Sequence, residues 1–129
     1  MANREHATAL LIDNDEDLLD ALQTRLESEG VRCIVANSGA QGVSLFEVDD
    51  VDVVITDLNM PEGDGVSVAE AIRARSDVPI IVITGFRDEY ERRLRSLANV
   101  SVVRKPFDTR ELIQLVSIAI TMPEGLGAF

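Results

Sequence analysis

Apolar and polar positions along the chain follow two different periods. Short runs rich in Val and Ile occupy Ala7 to Ile12, Val31 to Ala36, Val51 to Thr56, Ile80 to Thr84 and Val100 to Val103. Continuous apolar runs of this length predict strands buried on both faces. Between them the spacing turns helical. Leu18, Leu22 and Leu26 form a stripe closed by Gly30, and Phe86, Tyr90, Leu94 and Leu97 form another. Val68, Ala71 and Ile72 mark a helix with Asp64 as its candidate N-cap, and the last helix opens at DTRE with Asp108 as N-cap and Glu111 at the reciprocal capping position. The remaining helix, SGAQGVSLF, contains Gly39 and Gly42, which lower its propensity. Five strands alternating with five helices predict an α/β fold: a five-stranded parallel sheet with helices on both faces. No internal repeat, linker or low-complexity stretch interrupts the pattern.

Composition narrows the range of partners. The 129 residues, 46% of them hydrophobic, suit one domain with one core. A net charge of −11 argues against nucleic acid or an anionic membrane as the direct partner, because both are polyanions. A cation or another protein fits better. Cys33 stands alone within VRCIVA, so it forms no internal disulfide and reads as a small buried hydrophobe, in keeping with a reducing compartment. The start MANREHATALLID has no charged leader, apolar core and cleavage site, and no apolar run approaches the roughly 20 residues of a membrane span. A cytoplasmic protein without a membrane partner is the expectation.

Open α/β sheets bind ligands beyond the carboxyl ends of their strands, so the residues there carry the chemistry. The first strand is followed by Asp13 and Asn14, the third by Asp57, the fourth ends in Thr84, and the fifth is followed by Arg104, Lys105 and Pro106. Two carboxylates, a hydroxyl and an ammonium thus share one edge. The stretch LIDNDED alone, four acids and an amide, supports either a solvated helix start or carboxylates gathered around a cation.

Taken together, LIDNDED, TDLNMPEGDG, VITG and VRKPF resemble the receiver domain of bacterial two-component response regulators, and the resemblance covers nearly the whole chain. It implies the CheY-like, flavodoxin-like strand order 2-1-3-4-5. It implies that Asp57 accepts a phosphoryl group from a phosphohistidine on a histidine kinase or phosphotransfer protein, and that the modified state controls binding of a downstream target protein. Asp13, Asn14, Asp57 and the backbone carbonyl of Asn59 would hold Mg²⁺, which offsets the repulsion between acidic site and phosphoryl oxygens. Lys105 would pair with those oxygens, Thr84 would turn its hydroxyl toward them, and Pro106 would follow a cis peptide bond. Such a protein is a signalling acceptor rather than an enzyme.

The chain also departs from the family pattern. Most relatives carry a second aspartate where Asn14 stands, so one negative metal ligand becomes a neutral amide and weaker Mg²⁺ binding is expected. Asp15, one residue on, is either a substitute ligand or the cap of the first helix. Val102 occupies a position that is Tyr or Phe in many relatives, and RSLANVSVV lacks the common Ala-Gly-Ala turn before the fifth strand. Asn59 and Phe86 occupy positions that tune phosphoryl loss, and Phe86 reads equally well as a helix anchor. The expected domain spans residues 1–121, with 122–129 as a short tail and no effector. Arg92, Arg93 and Arg95 on the fourth helix, with Leu115, Ile118 and Ile120 on the fifth, offer a helix 4, strand 5 and helix 5 face to a partner or a second copy. A haloacid-dehalogenase-type phosphatase would need an acid at Asn59, and a flavodoxin would need hydroxyls rather than acids after the first strand. The competing reading is a pseudo-receiver, an interaction module that is not phosphorylated.

Overall fold

Each apolar run forms a five-residue strand: β1 (Thr8–Ile12), β2 (Arg32–Ala36), β3 (Val53–Asp57), β4 (Ile80–Thr84) and β5 (Val100–Arg104). The structure is a computed structural model that describes residues 6–58, 65–85 and 91–122. The helices between the strands are α1 (Glu16–Ser28), α2 (Gly39–Val48), α3 (Gly65–Arg73), α4 (Glu91–Arg95) and α5 (Thr109–Thr121). All strand pairs are parallel and their order is β2-β1-β3-β4-β5, as the resemblance implied. Asp57 and Arg104, expected just past their strands, are the last residues of β3 and β5.

The sheet divides the core into two apolar layers. Leu10, Ile12, Val54, Ile80 and Val82 face one side with Val66, Ala69 and Ile72 of α3 and Leu94 of α4. Ala9, Leu11, Val53, Ile55, Ile81 and Ile83 face the other, with Leu19, Leu22 and Leu26 of α1 and Leu112, Val116 and Ala119 of α5. Successive strand residues alternate between the layers because side chains alternate across a strand. β1, β3 and β4 are buried along their whole lengths, which explains why their sequences show no polar alternation.

Local chemistry sets the helix ends. Asp15 caps α1 by accepting from the Asp17 and Leu18 amides, and Gly30, at φ 85, adopts the left-handed geometry that lets Val31 N–H return to the Leu26 carbonyl. Leu19 rather than Leu18 is buried on α1, so the stripe is Leu19, Leu22 and Leu26, with Leu18 half-buried at its rim. Ser38 caps α2, and Gln41 reaches back to the Asn37 amide. The two α2 glycines that lower its propensity are its buried residues. A Cβ on Gly42 would overlap the Ile12 side chain, so packing onto β1 overrides intrinsic preference. Asp108 caps α5 through the Arg110 amide at 2.8 Å, as its sequence context predicted. Asp64, Phe86 and Tyr90 lie outside the described residues. Among the described residues no helix is long and apolar enough to cross a membrane.

Candidate functional site

The register of the central strands gathers the candidate residues at one sheet edge. Ile12 pairs with Thr56, Asp57 with Ile83, and Thr84 with Arg104, so the ends of β1, β3, β4 and β5 lie side by side. Asp13 and Asp57 flank the boundary between β1 and β3, and both are buried. Lys105 leaves β5 with its amide donating to the Thr84 carbonyl at 2.8 Å, and the following bond to Pro106 is cis. Its long side chain crosses β4 to reach β3. Thr84 is fully buried at the end of β4.

The charges are arranged asymmetrically. Lys105 Nζ lies 3.3 Å from Asp57 Oδ1; the lysine side chain is 38% exposed and the aspartate side chain 5%, so the cation reaches inward from solvent to a buried anion. The approach is close enough for an ion pair but lies off the hydrogen-bond direction, and among the described residues Asp57 Oδ1 accepts no hydrogen bond. A buried carboxylate oxygen that has an ion-pair neighbour but accepts no hydrogen bond is only partly compensated, and a further ligand would complete it. Asp13 Oδ1 accepts from the Asp15 amide at 2.9 Å. Burial pushes the Asp13 carboxyl above its ordinary range; the Asp15 amide opposes this, neighbouring Asp57 adds to it and Lys105 reduces it.

Asn14 is exposed at the bend after Asp13. Asp15 has its Oδ1 engaged by two helix amides, which supports the capping role over the metal role. Asn59 lies outside the described residues. Among the described residues no group of three His, Cys, Asp or Glu side chains converges on a point. The site therefore presents two carboxylates, with an amide where a third acid would extend the set. Its donors are hard oxygens, suited to Mg²⁺ rather than to a soft metal, and an Asp57 oxygen that accepts no hydrogen bond among the described residues accords with such an ion.

Gly65, the last residue of TDLNMPEGDG, makes a contact that its sequence context does not show. Its amide donates to the Leu58 carbonyl at 2.8 Å, and a Cβ there would overlap the Asp57 carbonyl oxygen. The first turn of α3 is thus pressed against the backbone that carries Asp57.

The model of the response regulator receiver domain matches residues 9–117, which spans every strand and reaches into the last helix. The chain belongs to the response regulator receiver domain family. Among curated relatives, the transcriptional regulatory protein CpxR of Escherichia coli K12 is 35% identical over 105 residues, covering 81% of this chain and 45% of CpxR. The response regulator SaeR of Staphylococcus aureus USA300 is 31% identical over 114 residues, covering 87% of this chain and 50% of SaeR. This receiver chain spans about half the length of the curated relatives it matches. Its fold is shared with a receiver protein from Sinorhizobium medicae WSM419, at TM-score 0.82 and 28% identity, covering 93% of this chain and 98% of that one. A CheY-like receiver domain from Methanospirillum hungatei JF-1 shares the fold at TM-score 0.85 and 23% identity, covering 95% of this chain and 100% of that one.

Proposed function

We propose that this receiver domain is a phospho-acceptor of a two-component phosphorelay, with Asp57 as the accepting residue. The observation that carries the reading is the buried Asp57 carboxylate, whose Oδ1 faces Lys105 Nζ at 3.3 Å, with buried Asp13 just past the end of the adjoining strand. One Asp57 oxygen forms a bond to phosphorus as the bond from phosphorus to the donor imidazole nitrogen breaks. The electron pair leaves with the imidazole, and the product is an acyl phosphate. Lys105 already lies beside the attacking carboxylate and would supply positive charge to the transferred oxygens. Thr84, at the end of the strand beside Asp57, is assigned the hydroxyl that meets the modified carboxylate.

Asp13, Asn14, Asp57 and Asn59 would hold a Mg²⁺ ion, which supplies charge neutralisation for the oxygens of an incoming phosphoryl group. With an amide at Asn14 the described side-chain set carries one negative charge fewer than a three-acid site, so we assign weaker metal affinity without loss of acceptance. A histidine kinase or phosphotransfer protein supplies the phosphoryl group, and a downstream protein reads the result. We place that reading surface, or contact with a second copy, on the face of α4, β5 and α5, where Arg92 and Ile118 are exposed. No direct role with nucleic acid or a membrane is assigned, in keeping with the net charge of −11. The reading extends to a cytoplasmic receiver domain over residues 1–121.

Intact-mass measurement after incubation with acetyl phosphate and Mg²⁺ tests acceptance. One added phosphoryl group in the wild-type protein and none in Asp57→Ala supports it. A folded wild-type protein that gains no mass at any Mg²⁺ concentration favours the pseudo-receiver.

A further inference from the structure

Arg73 ends α3 on the side of the molecule away from Asp57, yet it makes an unusually complete set of backbone contacts. Its half-buried guanidinium donates from Nη1 to the Ser76 carbonyl at 2.6 Å, from Nε to Ala98 at 2.8 Å and from Nη2 to Asn99 at 3.1 Å. Ser76 follows its own helix. Ala98 and Asn99 belong to the turn between α4 and β5. Arginine suits this task because its planar fork presents several donors in fixed directions, which a lysine cannot reproduce. The same turn contains Asn99 at φ 59, a left-handed conformation uncommon outside glycine, and Asn99 Nδ2 donates to the Asp77 carbonyl at 3.0 Å. The Asn99 carbonyl also accepts from the Ile80 amide at 3.1 Å, which ties the turn to the start of β4.

A second grip lies one turn back. Glu70 Oε1 of α3 accepts from Arg93 Nη2 of α4 at 2.7 Å, beside the fully buried Leu94. At its opposite end α3 presses on the acceptor strand: Gly65 bonds to Leu58 and has no room for a Cβ against the Asp57 carbonyl. A nine-residue helix is therefore held at one end by the backbone of Asp57 and at the other by the α4–β5 turn. A helix this short is stiff along its length, about 13 Å at the usual rise per residue.

We propose that α3 is a lever that couples the backbone around Asp57 to the α4–β5 turn, with Arg73 as the positioning residue that carries the coupling. The inference rests on the phosphorylation reading for its trigger and on the structure alone for its mechanics. Displacement of the Asp57–Leu58 backbone tilts α3, and the grips of Arg73 and Glu70 transmit the tilt to α4 and the turn.

Amide hydrogen exchange on wild-type protein, Arg73→Lys and Glu70→Gln, with and without acetyl phosphate and Mg²⁺, tests both parts. In unmodified protein Arg73→Lys is expected to speed exchange at Ile80 and residues 98–100 by about tenfold while leaving β1 unchanged. Unchanged exchange there overturns the tie. In wild-type protein that has gained the phosphoryl mass, exchange at the turn is expected to change, and in equally modified Arg73→Lys it is expected not to. A change that persists in Arg73→Lys overturns the coupling. If Arg73→Lys loses protection throughout, Glu70→Gln tests the same lever, and a response equal to wild type contradicts it. Absence of any adduct on wild-type protein overturns the phosphorylation reading and the coupling with it, whereas the unmodified comparison still decides the tie.

Discussion

Gly65 and Asp57 meet backbone to backbone: the space a Cβ would take on Gly65 is already filled by the Asp57 carbonyl oxygen. Gly65→Ala is therefore expected to displace the first turn of α3 and to lower stability by about 1–3 kcal/mol, as overpacking does elsewhere. Denaturant unfolding measures the loss. A variant as stable as wild type would show that α3 does not press on the acceptor strand.

Asp13 is buried beside Asp57, and both its burial and that neighbour hold its proton more tightly than in the unfolded chain. The sign follows from linkage: the native state binds the extra proton, so stability falls as pH rises from the ordinary carboxyl value through the raised native one. Asp13→Asn removes this penalty and retains an oxygen for the Asp15 amide. Without metal it is expected to melt a few degrees higher than wild type at neutral pH, with the advantage shrinking on acidification through that window. A lower melting temperature across the whole pH range contradicts the assignment.

Asn14 is the proposed source of weak Mg²⁺ affinity. Asn14→Asp restores a charged oxygen at an exposed position and is expected to lower the Mg²⁺ concentration for half-maximal stabilisation by about tenfold. Thermal melts across a Mg²⁺ titration read this without reference to phosphorylation. Equal midpoints would remove Asn14 from the metal site.

Cys33 lies half-buried on the edge strand β2, and burial, with Glu27 nearby, pushes its thiol up to about 11. Only the thiolate attacks a disulfide reagent, so at pH 8 the native thiol is expected to react about a hundredfold more slowly than the same thiol in denaturant. Rates that match in the two states would show a thiol that is exposed and ordinary.

Most of the fold and the placement of the candidate site residues at one sheet edge are legible in the sequence, for physical reasons that differ by residue. β1, β3 and β4 were legible because burial on both faces leaves uninterrupted Val and Ile runs. Asp13, Asp57, Thr84 and Lys105 were legible because an α/β sheet brings strand ends together however far apart they lie in the chain. The α2 glycines argue locally against a helix, whereas Gly42 is there because a Cβ would meet Ile12, a contact the local sequence does not reveal. Leu18 and Leu19 were confused because neighbouring leucines both satisfy a helical stripe, and only the packing of α1 on the sheet selects Leu19. Arg73 was invisible. Its partners are backbone carbonyls 25 and 26 residues away, which leave no side-chain signature in the sequence.

The most direct test of the central claim is to locate the phosphoryl group. After reaction with acetyl phosphate and Mg²⁺, borohydride reduction converts an aspartyl phosphate to homoserine, and peptide mass mapping identifies the residue. Conversion is expected at Asp57 alone, dependent on Mg²⁺. Conversion at Asp13 or another acid, or none in a folded protein, would contradict it.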